Sequence, residues 1–403
     1  MGARLGSRWG LVLLCGVLGV LAWGAGCACA ASEFGSFGGG AGELSEPNGI
    51  AVEQASGDVY VVDTNNRRVA EFTKGGVFLL AWGWGVADGR TSALQTCVSK
   101  CYAGLRGAGA GQLGFAEGIA VDNDQTSASY KDVYVVDLGQ FRVEKFSPVG
   151  EFLLMFGGGV NETAHDRGEA TNEEICPVHP GDRCGAGVVG SAAGQFDFVA
   201  EDSFIAVGST GTVYVADRNR VQEFSSAGVL ESQMKFSPPE ASGPEAGGIG
   251  ALAVDGAGDL YVVRNGVSGV TEYGPSGDPL RTFDDKGEPE IASGPTPAIA
   301  LDAAGDLFID DFAGERHSVL EYGLPGRAPV RFDVGSEDGL HGIVVDERSG
   351  SLYVLSTSGN ARPPVAHVRV VGLPRVARSG GVAVEGGGVS GLFEYGVPVS
   401  IFG

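Results

Sequence analysis

Six short runs of one composition recur along the chain, each built on a single aromatic residue. They are Val59-Tyr60-Val61-Val62, Val133-Tyr134-Val135-Val136, Val213-Tyr214-Val215-Ala216, Leu260-Tyr261-Val262-Val263, Leu307-Phe308-Ile309 and Leu352-Tyr353-Val354-Leu355. The aromatics stand at 60, 134, 214, 261, 308 and 353, so the gaps are 74, 80, 47, 47 and 45 residues. An apolar run precedes each: GIAV, GIAV, FIAV, ALAV, AIAL and GIVV, starting at 49, 118, 204, 251, 298 and 342. Around the first of these, residues 49–83 hold four Val/Ile/aromatic runs separated by Ser56-Gly57-Asp58, Asn65-Asn66 and Gly75-Gly76. Such runs at hairpin spacing read as four antiparallel strands. No apolar period near 3.6 runs through them, which excludes an amphipathic helix. The unit is therefore a four-stranded sheet of 45–47 residues; the two longer gaps exceed it by about 30 residues and contain insertions.

The second strand of each unit is apolar on consecutive residues, which means that both its faces are covered. Sheets stacked face to face around an axis meet that condition, and a closed ring leaves no open sheet edge. Six units predict an all-β, six-bladed β-propeller of four-stranded antiparallel blades. The pattern G-I-A-V-[DE]…V-Y-V-V-D-x-x-N-x-R-V…F resembles the NHL repeat. Unit one carries it through Asp63, Asn66, Arg68 and Val69; unit two through Asp137, Arg142 and Val143; unit three through Asp217, Arg220 and Val221 in a shorter loop. Unit four has Arg264 in place of the acid, and unit six has Ser356. The resemblance spans residues 33 to about 373. It is to the exported bacterial type, in which Gly-Ala-Gly-Gln-[Leu/Phe] precedes a blade, as at Gly109-Ala110-Gly111-Gln112-Leu113; Gly194-Gln195-Phe196 and Gly42-Glu43-Leu44 echo it.

Ring closure is also written in the chain. Glu33-Phe34-Gly35-Ser36-Phe37-Gly38 is similar to the end of a fourth strand, as in Phe152-Leu153-Leu154-Met155-Phe156-Gly157. It precedes the first unit, whereas the sixth ends its third strand near Val371 without a clear partner. An N-terminal strand, with Phe34 and Phe37 packed in it, is expected to complete the last blade. The hairpin-like pair Leu392–Gly396 and Val399–Gly403 competes for that place; residues 374–403 are read as a Gly-rich tail of uncertain structure.

Residues 1–30 read as a secretory signal peptide: Arg4 and Arg8, an apolar core from Leu11 to Ala22, then Ala28 and Ala30 as a cleavage signal. Cys27 offers a lipobox-like alternative, lipid anchorage, weakened by Gly24 where Leu is expected. The expected location is secreted, with the propeller over residues 31–373. Without Arg4 and Arg8, 25 basic residues face 50 acids, a charge of −25. That excludes nucleic acid, whose phosphates need clustered Lys and Arg, and no later stretch is long enough to span a membrane. Four cysteines remain, Cys97, Cys101, Cys176 and Cys184, an even number that permits three pairings. One pair per insertion is the economical choice; the spacing does not match a zinc site.

The search for chemistry is mostly negative. The histidines at 165, 179, 317, 341 and 367 form no H-E-x-x-H and no recurrent set at matching unit positions. There is no G-x-S-x-G elbow. The acids ending first strands, Glu53, Asp122, Asp255, Asp302 and Asp346, read as turn residues bonded to their own backbone, with a calcium or other divalent site in the channel as the alternative. Asp63 with Arg68, and Asp137 with Arg142, read as loop-ordering ion pairs. Asn161-Glu162-Thr163 fits a glycosylation sequon. The reading is a monomeric, non-catalytic binding or scaffold module without a cofactor, presenting its insertions to an unknown protein or small ligand. The alternative that similar propellers imply is a lyase or lactonase with a divalent metal in the channel. Fold alone does not choose between them.

Overall fold

Each apolar run becomes a strand, and the strands group into six antiparallel sheets. The computed structural model describes residues 32–198, 204–236, 248–264, 267, 269–283, 298–311, 318–323, 329–334, 339–358 and 365–373. The expected leader and the Gly-rich tail lie outside these residues. Ahead of the first blade is β1 (Ser32–Phe34). Blade one is β2 (Gly49–Glu53), β3 (Asp58–Asp63), β4 (Arg68–Phe72), β5 (Phe78–Trp84) and β6 (Leu94–Cys97). Blade two is β7 (Ala116–Val121), β8 (Val133–Asp137), β9 (Arg142–Phe146), β10 (Phe152–Phe156) and β11 (Ile175–Cys176). Blade three is β12 (Phe204–Val207), β13 (Val213–Asp217), β14 (Arg220–Phe224) and β15 (Leu230–Lys235). Blade four is β16 (Ile249–Val254), β17 (Leu260–Arg264), β18 (Val270–Tyr273) and β19 (Pro279–Phe283). Blade five is β20 (Ile299–Leu301), β21 (Leu307–Asp311), β22 (Ser318–Tyr322) and β23 (Val330–Asp333). Blade six is β24 (Gly339–Asp346), β25 (Ser351–Ser358) and β26 (Val365–Gly372), completed by β1. The only α-helix among the described residues, α1 (Glu162–Arg167), lies in the second insertion.

The innermost strands close a ring: β2 contacts β7, β7 contacts β12, and so on through β16, β20 and β24 back to β2. One apolar cluster fills each interface between blades. Strand β3 shows why its run is continuously apolar. Val59 and Val61 pack toward blade six, while Tyr60 and Val62 pack toward blade two. Alternate side chains leave a strand on opposite faces, and here each face meets a neighbouring sheet.

Closure uses the N-terminal strand. Ser32, Glu33 and Phe34 pair antiparallel with Val370, Arg369 and Val368. Phe34 then does for blade six what Trp82 and Phe156 do for blades one and two. Each aromatic lies against the third strand of the next blade, Phe34 on Phe72 at 5.0 Å between centroids, Trp82 on Phe146 at 5.9 Å, Phe156 on Phe224 at 4.7 Å. Each also covers a turn glycine with left-handed φ, Gly76, Gly150 or Gly228, where an added Cβ would meet the ring at 2.6–3.0 Å. Glycine is needed there on both counts. Phe37 departs from expectation: it lies past the strand and is 47 % exposed.

The insertions depart from the expectation of four-stranded blades and simple loops. Each adds a short fifth strand, β6 paired with β5 and β11 paired with β10. An outer edge is free to accept one, because nothing else covers the fourth strand of these blades.

Candidate functional site

Antiparallel strands sort the connections between them to two ends of the propeller. Turns between second and third strands, and the connections from a fourth strand to the next blade, share one end. Both insertions belong to those connections, so both emerge there. The turns between first and second strands, and between third and fourth, lie at the opposite end.

At the insertion end, a buried Asp and Arg open each of the first three blades. Arg68 Nε is 2.8 Å from Asp63 Oδ2, with both side chains fully buried. Asn66 Nδ2 donates to the same carboxylate and to Gly38 O. The rest of the Arg68 guanidinium donates to backbone carbonyls of Gly39, Gly40 and Glu43, ahead of the blade. Arg142 holds Ala108, Gly109 and Gln112 in the same way, and Arg220 holds Gly190, Ser191, Ala192 and Gln195. The aspartates complete the cradle two residues further on. Asp63 accepts from Ser45 N, Asp137 from Gly114 N and Phe115 N, and Asp217 from Asp197 N. The Gly-Gln segment that precedes a blade is thus the landing site of the arginine. A planar fork with five donors suits several carbonyls at once, which a lysine cannot match.

Burial works against the acids of this cradle. It pushes Asp63 up to about 6, opposed by Arg68, Ser45 and Asn66, and it raises Asp137 against the pull of Arg142. In blade two the arginine is shared. Arg142 Nη2 is 2.6 Å from Glu144 Oε1 and 3.6 Å from Asp137 Oδ2. Burial pushes Glu144 up to about 7.

The insertions are built alike. Cys97 joins Cys101 with an S–S distance of 2.08 Å, and Cys176 joins Cys184 at 2.03 Å. Cys97 sits opposite Ala81 and Cys176 opposite Met155, the residues just before Trp82 and Phe156. Past the second cysteine, Tyr102 O accepts from Arg68 and Gly185 O from Arg142. Two residues later Gly104 N donates to Asn66 O at 2.6 Å, and Gly187 N to Gln140 O at 2.8 Å. A Cβ at Gly104 would come within 2.4 Å of Arg67 O, and one at Gly187 within 2.1 Å of Phe141 O. Cys101-Tyr102-Ala103-Gly104 and Cys184-Gly185-Ala186-Gly187 are therefore one docking element, and the repeated C-x-A-G is the signal that reveals it in the sequence. Around it Val98, Tyr102, Phe115, Val178, Val188 and Val189 are exposed.

The Asn161 sequon is consumed by the fold. Its Oδ1 caps α1 by accepting from Ala164 N, and its Nδ2 donates to Ile175 O and Asp182. Asn161 is fully buried, so its amide nitrogen is closed to a glycosylating enzyme.

At the other end, the first-strand acids hold their own turns. Glu53 accepts from Ala55 N and Ser56 N, Asp122 from Asp124 N, Asp255 from Ala257 N, Asp302 from Ala304 N and Asp346 from Arg348 N. Neighbouring blades are tied here too: Gln54 N donates to Asn123 Oδ1, and Gln54 Nε2 to Val345 O. His165 and His179 lie exposed in the second insertion, and His317 falls outside the described residues. No three His, Cys, Asp or Glu side chains converge as a metal site among the described residues.

A family model for the NHL repeat matches residues 44–72, from the loop ahead of blade one through β4. No curated protein matches the chain. The chain is similar to the solved structure of virginiamycin B lyase from Staphylococcus aureus, at 12% identity and a TM-score of 0.47, covering 85% of this chain and 99% of that one. A gluconolactonase from Xanthomonas campestris is similar at 12% identity and a TM-score of 0.47, over 81% and 86%. Hydrazine synthase from Kuenenia stuttgartiensis is similar at 12% identity and a TM-score of 0.44, over 82% and 96%.

Proposed function

We propose that this six-bladed propeller, whose first blade carries an NHL repeat, is an exported, non-catalytic binding module that recognises its ligand with the insertion end. The observation that carries this reading is the docked pair of insertions. Each is stapled by a disulfide, seated on a motif arginine and laid against the turn beneath it, so two irregular loops become a fixed platform. A platform held this rigidly loses little entropy on association. It also exposes apolar side chains, Tyr102 and Val188 among them, that the fold itself has not covered. The disulfides suit an oxidising compartment, and no helix among the described residues is long and apolar enough to cross a membrane.

The test is affinity capture from the medium of the source cells, with wild-type protein and a Tyr102→Arg/Val188→Arg variant compared at matched folding. A partner held by the wild type and lost by the variant supports the reading. Capture that is identical for both, or chelator-sensitive turnover of a lactone by the purified protein, would replace it.

A further inference from the structure

In blade two, a lysine closes the crevice between its own sheet and the next. Lys145 stands opposite Tyr134 on the neighbouring strand. Its ammonium donates to Ser129 Oγ and to Ser226 O at 2.9 Å, lies 3.0 Å from Asp132 Oδ2, and sits 5.3 Å from the centre of the Tyr134 ring. Ser226 belongs to the turn between third and fourth strands of blade three.

Between blades one and two the same seat recurs without its cation. Tyr60 replaces Tyr134, Asp58 replaces Asp132, and Pro148 holds the turn position of Ser226, in Ser147-Pro148-Val149-Gly150 against Ser225-Ser226-Ala227-Gly228. Opposite Tyr60, where the lysine would stand, is Glu71. These residues line an open cavity of about 400 Å³, walled by Leu79, Leu80 and Val149. Glu71 is only 7 % exposed. It stands across the strand pair from Tyr60 and has no cationic partner among the described residues. The one lysine in the lining, Lys131, is already committed to Glu53 at 3.1 Å.

Blade four shows what such a Tyr–Glu pair does with a cation in reach. There Tyr261 faces Glu272, and Arg281 of β19 donates to both. The position of Arg281 opposite Glu272 is taken in blade one by Leu80, opposite Glu71. So one sibling crevice fills this seat with an ammonium and another with a guanidinium, while the crevice of blade one offers carboxylates and an empty volume.

We propose that the crevice between blades one and two binds a primary ammonium group on an aliphatic arm, with Glu71 and Asp58 as its counter-charges, the Tyr60 ring beneath it and Leu79, Leu80 and Val149 along the arm. The site lies at the end opposite the insertions, so it is independent of the reading above. A cation over an aromatic face beside buried carboxylates is a recognised mode of ammonium binding. Apolar walls favour an alkylammonium over a hydrated metal ion. Burial pushes Glu71 up to about 7, with Asp58 and Glu53 adding to the effect. A bound ammonium favours the carboxylate, so binding strengthens from pH 6 to pH 8; Tyr60, Asp58, Glu53 and Lys131 are the other titratable groups facing the cavity.

Trp82, 5.9 Å from the Tyr60 ring, supplies a fluorescence signal, and calorimetry gives an independent one. The full oxidised protein is titrated at pH 8 with n-butylammonium chloride and with the methylamide of Nα-acetyl-lysine, against sodium chloride at equal ionic strength. Saturable binding is expected, weakened at least about tenfold by Glu71→Gln. Glu71→Lys restores the blade-two arrangement and Leu80→Arg the blade-four one; both are expected to fold and to abolish binding. A lysine derivative binding at least about tenfold tighter than butylammonium identifies a lysine side chain of a partner as the source, and equal or weaker binding identifies a free amine. No saturation beyond the sodium control, or undiminished binding in Glu71→Gln and Glu71→Lys, overturns the proposal.

Discussion

The Arg142 guanidinium lies 2.6 Å from the Glu144 carboxylate, closer than to Asp137, its partner in the repeat motif, at 3.6 Å. One buried arginine thus serves two buried acids. Blade three answers the same requirement with a neutral residue: Gln222 accepts from Gly194 N as Glu144 accepts from Gly111 N, and it donates to Gln195 O.

Glu144→Gln should therefore fit. The Glu144 carboxyl is raised to about 7 by burial, so between about 4.5 and 7 the folded protein holds a proton that the unfolded chain has released. Stability consequently falls as pH rises through that window. Glu144→Gln removes this decline and is expected to be the more stable form at pH 8 by on the order of 1–3 kcal/mol, with little difference at pH 4.5. Denaturation midpoints at the two pH values check it.

Arg68→Lys removes the guanidinium fork that ties Asp63, held by Nε, to the carbonyls of Gly39, Gly40, Glu43 and Tyr102. A single ammonium cannot satisfy that set. Breaking a buried pair of this kind costs about 3–5 kcal/mol, and chemical denaturation should show a loss of that size. The same exchange at exposed Arg90, whose contact with Asp88 is 3.9 Å long, should change stability by less than about 1 kcal/mol.

The six blades could be read from the chain because burial on both faces leaves a continuous apolar run, and hairpin turns punctuate it. Closure could be read because Glu33-Phe34-Gly35-Ser36-Phe37-Gly38 resembles the end of a fourth strand such as that at residues 152–157; which of the two phenylalanines is buried, Phe34 and not Phe37, only the packing decides. The fifth strands left no such trace. Leu94-Gln95-Thr96-Cys97 and Ile175-Cys176 are too short for periodicity, and pairing with β5 and β10 defines them. The cradle was visible only on its side-chain half. Asp63 and Arg68 stand out as a motif, but the groups Arg68 holds are backbone carbonyls, which constrain residue identity weakly. Glu144 and Glu71 are single acids in similar strands, RVEKF and RVAEF. Only packing shows that one meets an arginine and the other an open cavity.

Gly187→Val tests the docking of the second insertion. A side chain there collides with Phe141 O, so the segment must lift from the turn and give up the bond from Gly187 N to Gln140 O. The expected cost is about 1–3 kcal/mol, with the blades intact and limited proteolysis newly cutting within 177–190. Reducing the disulfides of the wild type should give the same cleavage pattern, because short loops of this kind contribute about 2–3 kcal/mol each and the propeller remains folded.

Phe34→Ala tests ring closure. The ring lies 5.0 Å from Phe72 and 6.4 Å from Tyr353, and it covers Gly76. It therefore bonds blade six to blade one from the outermost strand. Removing a buried phenylalanine costs about 3–5 kcal/mol, against a total stability of about 5–15 kcal/mol for a typical domain. β1 is also short, with three paired residues, so losing its anchor frees the edge of β26 for pairing with other molecules. The variant is expected to unfold at markedly lower denaturant concentration and to aggregate on heating. Phe37→Ala is the matched control, since Phe37 is 47 % exposed, and should shift the midpoint by less than about 1 kcal/mol. Equal effects from the two changes would mean that β1 is dispensable and that another segment closes the ring.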